Sequence, residues 1–338
     1  MRILFLGSGA FGLPTLAALA AAHQVVGVVT QPDRPAGRGR DLTPTPIGAW
    51  AGERLPGAVL LKPENINETE MVARVRAIDA DAWVVIAFGQ KLGRPLLEDR
   101  FSINLHASLL PRWRGAAPIN AAILAGDAET GNSVITLADR MDAGEVLGTS
   151  RRAIEPRHTA GVLHDLLAAD GPTLVLDVLA RHATGTLRGQ RQDESLATRA
   201  PKLSKADGWI DFGTTAAECR SRVHGLTPWP GVTAELDGIA LKLVQVEAVG
   251  EGQTDAASSA RDGVPGAIVD ANEGLVSCAG GTLLHLMRVT PAGKREMDWG
   301  EFARGRAIKA GATMSCPSLP VRNQSGSASP APDRERRA

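Results

Sequence analysis

No charge of either sign predominates in this sequence. Across 338 residues, 37 Lys and Arg balance 37 Asp and Glu, a formal net charge of zero. That excludes a histone-like polycation, so any nucleic-acid contact has to come from local clusters. Cysteine is scarce: Cys219, Cys278 and Cys316 lie far apart and form no CxxC pair. A zinc ribbon, a dithiol redox motif and a disulfide framework are therefore unsupported, and no metal is expected. Long apolar runs are missing too. The first, residues 3–6, is far too short to span a bilayer. Residues 1–20 hold one Arg and a strand-like run broken by glycines, which is not the shape of a signal peptide. A soluble cytoplasmic protein without membrane contact is expected. No internal repeat is visible.

What is present is ordinary globular composition, 43% hydrophobic and 22% charged. A sizeable core is possible and wholesale disorder is excluded. At roughly 150 residues per domain the length suggests about two domains.

Residues 1–6 read as a strand buried on both faces. A glycine turn over 7–12 leads into an Ala/Leu-rich helix at 13–22. Residues 25–30, 82–87 and 102–105 predict further strands, and 133–137 another. Helical patterns fall at 47–54, 68–78, 116–125 and 160–183, and residues 31–46 read as an irregular Pro/Gly/Arg loop. Strands alternating with helices argue for an α/β fold with a mainly parallel sheet. After about residue 185 the texture changes. Short runs at 210–212, 233–236, 240–249, 266–270, 275–278 and 282–289 are separated by Gly and Asp. They predict a small antiparallel barrel or sandwich carrying one helix at 216–225. The expected organisation is a first domain over 1–187, a polar linker over 188–205, a second domain over 206–314 and a disordered tail over 315–338. A low-complexity loop is expected over 251–263.

Gly7-x-Gly9-x-x-Gly12 follows the first strand and opens a helix, as a dinucleotide fingerprint does. The fingerprint also wants an acid at the end of the second strand. That strand ends in Val28-Val29-Thr30-Gln31, and Asp33 lies beyond a proline. A tight strand-to-helix turn is the better reading, and no NAD is expected.

The chemistry concentrates in INLHASLLPRWRGAAPI, residues 103–119. Asn104 and His106 lie two apart at the end of a strand, so their side chains leave on one face. Ligands of α/β sheets gather where strands end. An amide donor beside an imidazole suits acyl transfer: one donates to an oxyanion, the other moves a proton. An acid to orient the imidazole is offered by Asp142, with Asp139 and Glu145 as competitors. Sequence alone leaves that choice open.

The stretch 103–119 is similar to the signature of the 10-formyltetrahydrofolate-dependent formyltransferases. So is the chain from residue 1 to about 310. VVTQPDRPAGRGRDLTPTPI at 28–47, KLSKADGWIDF at 202–212 and GLTPWPG at 225–231 resemble the branch that acts on methionyl-tRNA. The resemblance implies a Rossmann-like formyltransferase domain with a mainly parallel sheet, followed by a smaller OB-like β-barrel. It implies transfer of a formyl group from the co-substrate 10-formyltetrahydrofolate to the α-amine of methionine on initiator methionyl-tRNA, as a step of translation initiation. Asn104, His106 and Asp142 would be the catalytic trio. Asn104 would hold the formyl oxygen, His106 would handle charge and protons, and Asp142 would position His106. No covalent intermediate is needed. The folate pocket would use Ala87, Phe88 and Gly89, then Ser108, Leu109, Leu110 and Pro111, and the loop around 139–142. Two departures stand out: the family commonly has Ala-Tyr-Gly where this chain has Ala87-Phe88-Gly89, and Ile-Asp-Trp where it has Ile210-Asp211-Phe212. The whole chain lacks tyrosine.

For the tRNA, Arg34, Arg38 and Arg40 stand among glycines in a loop suited to phosphate contact. The resemblance takes that loop to the acceptor end. Lys202 and Lys205, beside Arg199, would add contacts, as would clusters at Lys294-Arg295 and at Arg304, Arg306 and Lys309. Residues 200–310 nevertheless hold 12 Lys/Arg against 14 Asp/Glu, a net of −2. A monomer is expected. The competing readings are a sugar-nucleotide or glycinamide-ribotide formyltransferase, a nicotinamide-dependent dehydrogenase and a non-catalytic RNA-binding protein.

Overall fold

A strand without polar side chains is stable only where both of its faces are covered. Strand β1 (Arg2–Gly7) meets that condition: Ile3, Leu4, Phe5 and Leu6 are fully buried. The computed structural model describes residues 1–36, 41–249 and 263–317, and the chain divides into two compact units, Met1–Lys202 and the residues from Leu203 onward.

After β1 the first unit runs through α1 (Leu13–Ala22), β2 (Gln24–Val29), a small hairpin of β3 (Arg34–Ala36) and β4 (Asp41–Thr43), α2 (Pro46–Arg54) and β5 (Val59–Leu61). Then follow α3 (Thr69–Arg76), β6 (Ala82–Ile86), α4 (Arg94–Leu97), β7 (Ser102–His106), β8 (Arg114–Gly115), α5 (Pro118–Leu124), β9 (Glu129–Thr136), β10 (Val146–Ala153), α6 (Ala160–Ala183) and β11 (Arg199–Ala200). The main sheet has the order β10-β9-β7-β6-β1-β2-β5. From β5 to β7 all pairings are parallel; β9 and β10 add an antiparallel edge.

Alternate residues of each strand feed opposite faces. Ile3 and Phe5 join Leu16, Leu163 and Leu167 on one side. Leu4 and Leu6 join Val75, Trp83 and Leu96 on the other. Helix α6 starts at Thr159, whose hydroxyl accepts from the Val162 amide. The chain leaves β1 outward to β2 and β5, then crosses back to β6 and β7. The strand order therefore reverses between β1 and β6, the place where α/β sheets hold ligands at their carboxyl ends.

The glycine turn after β1 serves packing. A Cβ on Gly7 would lie 2.6 Å from the Phe5 ring and 2.7 Å from the Ile86 carbonyl oxygen, and one on Gly12 3.1 Å from the same ring. Ser8 Oγ donates to the Phe88 carbonyl and accepts from the Gln31 amide. The turn is thus stitched to the loop after β6.

In the second unit α7 (Ala216–Gly225) opens with a capping box between Thr215 and Glu218. Strands β12 (Val232–Leu236), β13 (Ile239–Val249), β14 (Ile268–Asp270), β15 (Leu275–Ser277), β16 (Leu283–Pro291) and β17 (Met297–Asp298) precede α8 (Trp299–Arg306) and β18 (Met314–Ser315). The antiparallel sheet β14-β15-β16-β13-β12-β18 nearly closes into a barrel. Its ends meet through an Ala267–Thr313 bridge and the Ile268 amide on the Ala312 carbonyl. Inside, Cys219 and Cys278 remain free thiols with their sulfurs 3.9 Å apart. The hydrogen bond between them, then burial, pushes the Cys278 thiol up.

Several sequence expectations are corrected. Residues 31–46 carry the β3–β4 hairpin rather than a featureless loop. Residues 210–212 form no strand; Phe212 is buried and its carbonyl accepts from Ala279. Helix α8 went unanticipated, although Trp299, Phe302 and Ala303 have helical spacing and are all buried. The segment 188–205 divides: residues up to 202 fold onto the first unit, with β11 pairing β8. The tail is placed through residue 317, since β18 pairs β12 and the Ile210 amide donates to Cys316 Sγ. Residues 318–338, and all but Gly263 of the expected 251–263 loop, lie outside the described residues.

Candidate active site

Strand β7 ends beside the reversal point and delivers Asn104 and His106 to one face. His106 is buried and Asn104 half-buried. His106 Nε2 lies 2.9 Å from the Trp113 carbonyl oxygen. A carbonyl only accepts, so Nε2 carries the proton and donates. The other ring nitrogen, Nδ1, faces Asp142 Oδ2 at 3.7 Å. That is too long for a direct hydrogen bond but close enough for charge to act. Nδ1 is therefore the nitrogen free to take up or release a proton beside a carboxylate.

The three acids differ in position. Asp142 has a side chain only 13% exposed, beside a His106 side chain only 8% exposed. Asp139 is fully on the surface. Glu145 immediately precedes β10, and its amide donates to Thr136 Oγ1. Asp142 adopts the left-handed backbone region at φ 55°, and the Gly115 amide donates to its Oδ2 at 2.9 Å. Gly115 is the only residue type that fits there: its φ is +127°, and a Cβ would lie 2.4 Å from the Ala200 carbonyl oxygen.

The Arg-Trp-Arg text between His106 and Gly115 is a scaffold. The Trp113 indole donates to Asp127, which also takes Arg112, and the Trp113 amide donates to Thr198 Oγ1. These bonds hold the carbonyl that holds His106. Ser108 is completely buried; its hydroxyl donates to the Arg112 carbonyl, and its own carbonyl accepts from Ser133. Ser133 Oγ accepts in turn from the Leu110 amide. The Ser108 side chain is thus committed to the loop, in which Leu109 is half-buried and Leu110 buried. Leu109 packs over Gly131, where a Cβ would meet it at 2.8 Å.

The loop after β6 is shaped in the same manner. Ala87 and Gly89 have φ of 47° and 87°. The Phe88 ring, 2% exposed, packs with Leu92 and Leu96 in the core, and its carbonyl already accepts from Ser8 and Gln31. The ring at the position where the family commonly has tyrosine is therefore packed in the core. Backbone is what residues 87–89 can offer.

Sequence reasoning passed over Gln192 and Glu194. Gln192 Nε2 donates to the carbonyls of Asp142 and Gly144, at 2.8 and 2.7 Å. Glu194 bridges Arg114 and Arg140, and these two guanidinium groups, Arg114 first, hold its carboxyl down to about 2. Arg34 is exposed and paired with Glu64 at 2.5 Å. Arg38 and Arg40 lie outside the described residues, while Lys202 and Lys205 are exposed. Among the described residues no group of three His, Cys, Asp or Glu side chains is placed to hold a metal, and no helix is long and apolar enough to cross a membrane.

Comparison with known proteins places the chain in a family. A family model for formyl transferases matches residues 1–179, and one for the formyl transferase C-terminal domain matches residues 202–307. The methionyl-tRNA formyltransferase of Methylococcus capsulatus is 39% identical over 311 residues, 91% of this chain and 98% of that protein. That of Leifsonia xyli is 42% identical over 314 residues, covering 91% and 99%. An N-formyltransferase from Helicobacter canadensis, solved with folinic acid and dTDP-3-aminofucose, shares the fold at a TM-score of 0.59 and 13% identity, covering 85% of this chain and 98% of that one. Both family models and the near full-length relatives agree: the chain belongs to the methionyl-tRNA formyltransferase family of formyl transferases.

Proposed function

We propose that Asn104, His106 and Asp142 carry out the formyl transfer of this enzyme. The reaction takes the formyl group of 10-formyltetrahydrofolate to the α-amine of methionine on initiator methionyl-tRNA. The observation that carries the assignment is the placement of one buried imidazole between a carbonyl that fixes its Nε2 proton and a carboxylate at its Nδ1.

The unprotonated amine forms a bond to the formyl carbon, and the carbonyl electrons move onto oxygen. Asn104 Nδ2 donates to that oxyanion. His106 Nδ1 takes the extra proton of the attacking amine; the imidazolium so formed adds positive charge nearby, and Asp142 balances it. When the oxyanion collapses, the bond from carbon to folate N10 breaks and N10 gains that proton. His106 Nδ1 is the group that relays it. Acceptance at one nitrogen and donation at the same nitrogen suit a ring whose other nitrogen is locked. Backbone at 87–89 and the wall at 109–111 would grip the pterin end of the donor. Arg38 and Arg40, with Lys202 and Lys205, would hold the acceptor tRNA, and the chain would act as a monomer in the cytoplasm.

The test is formyl transfer from 10-formyltetrahydrofolate to charged initiator tRNA, charged elongator tRNA, free methionine and a dTDP-amino sugar. Transfer to the initiator alone supports the reading. Preferential transfer to the sugar nucleotide overturns the acceptor assignment.

A further inference from the structure

The stretch that leads out of the first unit is more than a connection. Gln192 uses every polar group of its carboxamide. Nε2 donates to the carbonyls of Asp142 and Gly144, while Oε1 accepts from Arg114 Nε at 3.0 Å and Nη2 at 2.7 Å. The other face of the Arg114 guanidinium binds Glu194, which also pairs with Arg140. Arg114 sits between the two backbone groups that touch the catalytic pair: the Trp113 carbonyl on His106 and the Gly115 amide on Asp142. One carboxamide thereby ties the main chain of Asp142 to the strand that orients both partners.

Asp142 needs such a tie. It stands in the left-handed backbone region, which a non-glycine residue keeps only where its surroundings impose it. The loop leaves no slack, since a Cβ on neighbouring Gly144 would lie 1.7 Å from the Thr136 carbonyl oxygen. Gln192 itself is half-buried and reaches these groups through hydrogen bonds alone, outside the apolar clusters of the core. Its loss should therefore move Asp142 without unfolding the sheet.

We propose that Gln192 is a positioning residue that sets the Asp142 carboxylate against His106, with Arg114 and Glu194 as its backing. This rests on the reading of Asp142 as the acid that orients His106. A displacement near 1 Å at a reacting centre costs up to about 100-fold in rate, so Q192A should lower kcat about 10- to 100-fold. KM for methionyl-tRNA should stay within about twofold, because the described residues expected to hold the tRNA make no hydrogen bond to Gln192. The folate KM is no readout here, since the 139–142 loop is itself part of the expected folate pocket. Q192E keeps the shape and the contact to Arg114 but loses the two donations, so it should fall as far. It also keeps the test open if Q192A folds poorly, with circular dichroism and Tm as controls.

The decisive readout is a double-mutant cycle with D142N. If Gln192 acts through Asp142, adding Q192A to D142N lowers kcat by less than about threefold more. Wild-type kcat in both Gln192 variants overturns the inference, as does a double mutant whose losses multiply. A D142N enzyme with wild-type turnover contradicts the reading of Asp142 instead, so the two failures are told apart.

Discussion

His106 Nδ1 lies 3.7 Å from Asp142 Oδ2, and the opposite ring nitrogen is held by the Trp113 carbonyl. The ring therefore has one committed edge and one working edge. D142N should lower kcat while leaving folate binding intact, and D139N should leave both near wild type because Asp139 is exposed. Steady-state kinetics on the two variants checks the assignment; greater damage from D139N would reverse it.

N104A removes one donor to the developing oxyanion. Losing such a donor typically costs about 10²–10³ in kcat. H106A should cost about 10²–10⁴ as the loss of the general acid and base. In both variants the Kd for a folate analogue, by fluorescence titration, should move little. A parallel loss of folate affinity would place these side chains in binding rather than in chemistry.

Gly115 is held by its neighbours. Alanine there would occupy φ +127° with its Cβ 2.4 Å from the Ala200 carbonyl oxygen. G115A should destabilise the first unit by about 1–3 kcal/mol in denaturant unfolding and depress kcat as well. Unchanged stability would mean that β11 yields freely, and that the pairing of β8 with β11 does not fix Asp142.

The Asn104 and His106 pair is legible in sequence because it ends an apolar strand, where period-two spacing fixes the face. Asp142 is less so. Its distinction from Asp139 depends on a backbone turn and an amide 27 residues away. The strap over 188–202 has no apolar period, and its order comes from side-chain bonds to residues such as Arg114, 78 positions back in the chain. Polar composition thus resembles a linker when the partners are distant. Strand β10 was missed for a related reason: it is an edge strand whose outward residues are polar and exposed.

Acid should not loosen the strap in the working range. Glu194 is held down to about 2 from 4.5, so its folded value lies below its unfolded one. The stability it contributes is complete above about 4.5 and is lost only as pH falls toward about 2. E194Q should lower kcat by a similar factor at every pH from about 5 to 8, leaving the shape of the profile unchanged. Because the carboxylate is exposed, the loss should shrink in high salt. A new inflection in that window would show that Glu194 titrates there.

Arg34 is paired with Glu64, so Arg38 and Arg40 carry the tRNA expectation for that loop. Replacing both with Ala should raise KM for methionyl-tRNA and reduce the salt slope of binding by roughly 0.7–0.9 per lost phosphate contact. The Kd for folate should hold. Normal formylation across a salt series would make the loop a solvated connection.

The central claim is tested most directly by single-turnover formyl transfer from 10-formyltetrahydrofolate to initiator methionyl-tRNA, wild type against H106A. The account predicts rapid formyl-methionine formation by the wild type and a loss of about 10²–10⁴ in H106A with both substrates bound at saturation. Equal single-turnover rates in the two proteins would contradict it.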